Sequence, residues 1–137
     1  MSAGQPRTRP VDKGKFKVFL NKAAEFHRGM LAAQQSGDRS LACLNAIHCA
    51  ISCADAVCTC FLGEKSAGQS HDDAAWLLEK TNAPGAAEKA KQFRDIVRFK
   101  SLVEYEEGEP SEAEAARMVL QAARIFEWAK QMLSEKG

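Results

Sequence analysis

"LNAIHCAISCADAVCTCFLG", residues 44–63, holds four of the chain's five cysteines, one of its three histidines and a single aspartate. Stepping about 100° per residue, as 3.6 residues per turn requires, puts Asn45, His48, Ser52, Asp55 and Thr59 on one narrow strip. The rest is Ala, Ile, Leu, Val, Phe or Cys until Gly63 closes the run. A helix apolar nearly all round belongs in the middle of a bundle. Its polar strip must then face a cleft or find partners on another helix, because buried polar groups without partners are costly.

The cysteines sort elsewhere on the same wheel. Cys49, Cys53 and Cys60 share a direction with Ala42, Ala46 and Ala56, Cys43 and Cys58 point differently, and His48 lies a quarter turn or more away. A zinc site needs four ligands converging on one point, commonly as Cys-x-x-Cys pairs in short loops, and no such pair occurs. Cys49 to Cys60 spans about 16 Å of helix at 1.5 Å per residue. Cysteine is therefore expected here as a small hydrophobe that lets a neighbouring helix approach closely, with no metal and no cofactor. Five cysteines, an odd number concentrated in one apolar run, fit reduced thiols better than a disulfide framework.

Working outward, a chain of 137 residues with 45% hydrophobic content supports one core. We expect a single domain over residues 12–134 behind a flexible basic tail, residues 1–11, whose two prolines and two arginines offer no apolar face. The net charge of +1 excludes a whole-chain basic field of the kind that steers nucleic acid. The charge is uneven, however: residues 1–40 carry eight Lys or Arg against three acids, and residues 41–80 carry two against five. No run reaches the roughly eighteen consecutive apolar residues of a membrane span, and no secretory signal opens the chain, so no membrane partner and a cytoplasmic location are expected.

Helical periodicity covers most of the remainder. Phe16, Phe19, Leu20, Ala23, Phe26, Met30 and Leu31 return every three or four residues, predicting a first helix from Asp12 to Gln35, with "SGD" at 36–38 ending it and capping the next. The second helix runs from Ser40 to Leu62. Ser70 with Asp73 predicts a capping box for a short third helix carrying Trp76, Leu77 and Leu78. "TNAPG" at 81–85 is a break, a fourth helix follows over Ala86–Tyr105, and Ser111 with Glu114 forms a second capping box at the start of the fifth. Nothing reads as a strand. The expected architecture is all-α, an up-and-down bundle of four long helices plus one short helix.

The fourth helix carries a second polar feature. Lys91, Arg94, Arg98, Ser101 and Tyr105 form a strip that is either a solvated face or an anion-binding row of Lys91, Arg94 and Arg98. Lys100 and Glu104 instead sit among Phe93, Ile96 and Val97 on the apolar side. Buried opposite charges need partners, which they find in each other at four residues' separation or in His48 and Asp55 across the bundle.

"AIHCAISCADAVCTCFLGEKSAGQSHDDAAWLL", then "KSLVEY" and an Ala-rich final helix with aromatic residues, resembles the HEPN family (higher eukaryotes and prokaryotes nucleotide-binding), in particular its small bacterial members. The resemblance spans residues 12–134. It implies a helical bundle that dimerises, in a family that includes ribonuclease toxins paired with nucleotidyltransferase antitoxins as well as members without catalysis. The nuclease members carry an Arg followed four to six residues later by His. No histidine stands at those distances from Arg94 or Arg98, and none follows His71. Metal-independent cleavage through the 2′-hydroxyl needs groups that exchange protons near neutral pH, which histidine does best.

The expectation is therefore a homodimeric, non-catalytic HEPN-type binding or interaction module for a nucleotide, RNA or partner protein, linked to a toxin-antitoxin-like system. Its candidate pocket is Asn45, His48, Asp55, Lys65, His71, Lys100, Glu104 and Tyr105. The alternative is a metal-independent RNase with a relocated active site around His48, His71 and Lys100.

Overall fold

The computed structural model describes residues 7–67, 71–100, 103, 108–134 and 136. The fold is all-α, built from α1 (Phe16–Ser36), α2 (Arg39–Leu62), α3 (His71–Lys80), α4 (Ala86–Val97) and α5 (Glu112–Ser134). α2 is the central element and packs against α1, α3, α4 and α5. α1 makes the most extensive pairing with it, α5 lies across both, and α3 pairs with α4. Thirteen residues of α2 are buried, nearly all of them Ala, Cys, Ile or Val. Small side chains at such contacts let the axes approach closely. α2 is also long and apolar enough to cross a membrane, its most apolar window having a mean hydropathy of 1.6, yet 67% of that window is buried inside the bundle.

Local chemistry sets the helix ends. α1 closes at Gly37, where the Asp38 N–H donates to the Ala33 carbonyl (2.9 Å) and the Gly37 N–H to that of Gln34 (3.1 Å), the paired bonds of a Schellman motif. The α5 capping box forms as its residues dictate. The Glu114 N–H donates to Ser111 Oγ (3.0 Å) and the Ser111 N–H to Glu114 Oε1 (2.8 Å), and these bonds hold the Glu114 carboxyl below the usual range. At α3 the expected Ser70 partner lies outside the described residues, and Asp73 Oδ2 accepts the Arg7 N–H (3.2 Å).

Three expectations are corrected. The chain does contain strands: β1 (Thr8–Pro10) pairs antiparallel with β2 (Glu64–Ser66), Thr8 opposite Ser66 and Pro10 opposite Glu64. Three-residue strands are too short for alternation to register. It follows that residues 7–11 are not a free tail. The Thr8 hydroxyl donates to Glu64 Oε1 (2.8 Å), the Ala67 N–H to the Arg7 carbonyl (2.8 Å) and the Val11 N–H to the Gly63 carbonyl (2.8 Å). Gly63, at φ +69°, turns the chain out of α2 in a conformation that a side chain would strain, and so points that carbonyl at the arm. Finally, the fourth helix is interrupted after Val97; helical backbone resumes at Lys100 and Val103, and the expected end at Tyr105 lies outside the described residues. Arg98 and Phe99 form a turn in which the Phe99 N–H bonds back to Ile96 (3.1 Å), after branched residues that favour helix poorly.

Ile47 is fully buried on α2, so Ile47→Ala should lower unfolding free energy by roughly 2–5 kcal/mol, read from urea denaturation monitored by circular dichroism.

Candidate functional site

α1 covers the polar strip of α2 in antiparallel register. At one end Gly29 faces Asn45, and a Cβ on Gly29 would stand 3.0 Å from Asn45 Nδ2. One turn along, Phe26 stacks on His48 with ring centroids 5.2 Å apart. At the far end Phe19 and Lys22 reach the level of Ser52 and Asp55. The strip therefore finds its partner in the first helix. Thr59, last on the strip, is fully buried, and its hydroxyl has no hydrogen-bond partner among the described residues.

Between α1, α2 and the two-stranded ribbon of β1 and β2 lies a cavity of about 620 Å³, lined by Phe19, Lys22, Glu25, Phe26, Ser52, Asp55 and Lys65. β2 delivers Lys65, whose Nζ lies 3.6 Å from Asp55 Oδ2 and 5.5 Å from the centre of the Phe19 ring. Lys22 approaches the same ring at 6.0 Å, within cation–π range. Burial pushes the Asp55 carboxyl up to about 6, against the opposing pull of Lys65, Arg9 and Lys22. Desolvation thus outweighs the three cations, the long hydrogen-bonding contact with Lys65 included. The cavity offers aromatic walls, two ammonium groups, a hydroxyl and an under-compensated carboxylate.

The candidate pocket read from sequence is divided in space. Asp55 and Lys65 line the cavity above, and Asn45 and His48 lie along the same strip beneath α1. His71 lines a different cavity of about 440 Å³, with Asp72, Val97, Arg94 and Arg98, its ring edge-on to Phe93 at 6.5 Å. Arg94 is bonded to Glu79 Oε2 (3.1 Å) and Arg98 lies 3.7 Å from Asp95 Oδ1. Lys91 is exposed and lines neither cavity. Lys100 is half-buried beyond the turn that ends α4; Glu104 and Tyr105, and with them the expected Lys100–Glu104 clamp, lie outside the described residues.

Phe19, Lys22, Glu25 and Arg9 were not expected at the site. Phe19 and Phe26 carry an ordinary core signature at helical spacing. Arg9 sat in a segment with no periodicity at all. The one available signal was the charge imbalance, a basic first segment beside an acidic second one, which the ribbon brings together. The remaining histidine, His27, stacks on Phe126 of α5 at 4.5 Å, and burial lowers its pKa.

The cysteines are packing residues. Cys43, Cys49, Cys53 and Cys58 are buried and Cys60 is half-buried, all as free thiols. Burial raises Cys43 to about 11 and pushes Cys58 further up. Cys53 is raised by burial and by its hydrogen bond with Cys49, and Cys60 by burial against the pull of Lys136 and Lys13. Among the described residues no group of three His, Cys, Asp or Glu side chains can hold a metal ion.

Two outcomes follow. The folded Asp55 keeps its proton up to about pH 6, whereas an unfolded aspartate releases it near 3.8, so the folded state binds more protons between those values. The stability this confers at low pH is lost as pH rises through about 6, on the order of 3 kcal/mol for a displacement of that size. Asp55→Asn should flatten this slope in urea titrations across pH 4 to 7. A thiol-reactive chromogen at pH 8 should label Cys60 alone in the native protein, and all five cysteines only after denaturation, since thiolate fraction and access both govern reactivity.

In comparisons with known proteins, no family model and no curated protein matches this chain.

Proposed function

We propose that this protein is a HEPN-type binding module without ribonuclease activity, and that the cavity between α1, α2 and the ribbon is its ligand site, taking a nucleotide. The observation that carries this is the grouping of Phe19, Lys22 and Lys65 around a half-buried Asp55. Aromatic walls, two cations and the acceptors of Asp55, Glu25 and Ser52 suit a flat polar base joined to a phosphate. The resemblance of "AIHCAISCADAV" and "KSLVEY" to HEPN sequences supports the same assignment, as does the lack of the nuclease Arg-to-His spacing. A homodimer, with a partner in a toxin-antitoxin-like pair, belongs to this proposal.

A second reading, the metal-independent ribonuclease, draws on one observation: His71 shares its cavity with Arg94 and Arg98, so a histidine and two arginines meet in space where the sequence spacing keeps them apart. Against it, His48 stacks on Phe26 and lines neither that cavity nor the one at Asp55. A base and an acid must reach the same phosphodiester.

The test is RNA incubated with wild type, His48→Ala and His71→Ala, each checked by size-exclusion chromatography, beside calorimetric titration of wild type with nucleoside monophosphates. The binding-module proposal expects intact RNA in every lane and saturable nucleotide binding. Cleavage by wild type that disappears in His71→Ala would replace it with the ribonuclease.

A further inference from the structure

We infer that the α1–α2–ribbon cavity discriminates among bases, and that its ligand is a guanine nucleotide, with Asp55 receiving the base edge and Lys22 and Lys65 the phosphate. This rests on the nucleotide-site proposal above and adds the substrate's identity to it.

The argument is one of donor and acceptor matching. Asp55 is the one carboxylate that reaches the cavity from the buried strip of α2, its side chain only 14% exposed. Its existing partner is distant, since Lys65 Nζ at 3.6 Å exceeds the length of a charge-assisted hydrogen bond. The carboxylate is therefore an acceptor pair short of donors. Of the common bases, guanine alone presents two adjacent N–H donors on one edge, at N1 and the 2-amino group, spaced to match the two oxygens of a carboxylate. Adenine and cytosine set an acceptor nitrogen beside their amino group, which a carboxylate repels. Uracil flanks its one N–H with two carbonyls. Ser52, 7% exposed and one turn away on the same strip, adds a hydroxyl that serves as donor or acceptor.

The rest of the cavity suits the rest of such a ligand. Lys22 and Lys65 each approach the Phe19 ring, at 6.0 and 5.5 Å, and both line the cavity, so two cations are available there to an anionic group. Phe19 and Phe26 supply apolar surface for a base. Glu25, also on the wall, disfavours a second anionic group on its side, which suits a single phosphate cluster at the lysine end. When a ligand phosphate draws Lys65 outward, Asp55 loses its present partner at the moment the guanine edge replaces it.

The experiment is calorimetric titration of the full chain with GMP, IMP and AMP, for wild type, Asp55→Asn, Lys22→Ala and Arg28→Ala, the last an exposed cation of α1 outside the cavity. Circular dichroism and size-exclusion chromatography establish that each variant is folded. The expected result is GMP binding about tenfold or more tighter than AMP, the scale of a hydrogen bond to a charged group. IMP, which keeps N1–H but lacks the 2-amino group, should fall between them. Asp55→Asn should erase the preference, Lys22→Ala should weaken all three ligands alike, and Arg28→Ala should change nothing. Equal binding of GMP and AMP, or a preference that survives in folded Asp55→Asn, overturns the guanine assignment and leaves the nucleotide site standing. No binding of any nucleotide overturns both.

Discussion

The architecture depends on the burial of α2. This helix is so nearly apolar around its circumference that it is stable only when covered on all sides, and α1, α3, α4 and α5 cover it. Its side chains are small, which brings each neighbour close and multiplies short-range dispersion contacts. The cysteines belong to this logic. Each is a small hydrophobe with a polarizable sulfur, and burial raises the pKa of Cys43, Cys53 and Cys58, so those thiols stay protonated and inert, whereas Cys60 is only half-buried. The five polar residues of the strip had to be placed in that apolar setting, and Thr59 is buried without a hydrogen-bond partner among the described residues. α1 accommodates four of them, by close approach at Gly29, by ring stacking at Phe26 and by withdrawing to leave a cavity at Phe19 and Lys22.

The cavity exists because two demands conflict at the C-terminal end of α2. The chain must leave the helix at Gly63, and the exit is stapled by the N-terminal arm. Asp55 lies close enough to that exit for β2 to bring a cation to it. It also lies deep enough for desolvation to outweigh the cation's help. Structural ion pairs in proteins commonly settle such a conflict with short, well-made hydrogen bonds. Here the contact is long, the flanking lysines rest on an aromatic ring, and polar capacity is left facing open space. That surplus is the physical basis for assigning a ligand to the site.

Much of this was legible in the residues. The period of α1 and α5, the Schellman ending at Gly37, the Ser111–Glu114 box and the polar strip of α2 are all local patterns, and local chemistry settled them. What the residues did not disclose were pairings between distant segments. Thr8–Pro10 is a strand only because Glu64–Ser66 lies beside it, and three residues are too few to advertise alternation. Asp55 and Lys65 were both singled out, and they do meet. His71 was grouped with them because it follows the same loop, yet α3 carries it to the cavity of Arg94 and Arg98. The break in the fourth helix after Val97 was likewise hidden, since the apolar period runs on through Phe99 while the backbone tightens into a turn.

Gly29 has a mechanical consequence. Two packed helices ordinarily accommodate ligands by shear, sliding a fraction of a turn along their shared interface. Along α1, the backbone touches the strip where a side chain is missing, and Asn45 occupies that notch. Sliding by one turn would bring Phe26 or Ala33 over Asn45, where a Cβ stands 3.0 Å from Nδ2 and the amide must give way by a few tenths of an ångström. The notch works as a detent, holding the two long walls of the cavity at fixed separation and phase. Ordering of those walls is complete before any ligand arrives, so its cost is carried by folding and not by binding. The part left to move is the third wall, the two-stranded ribbon with its lysine.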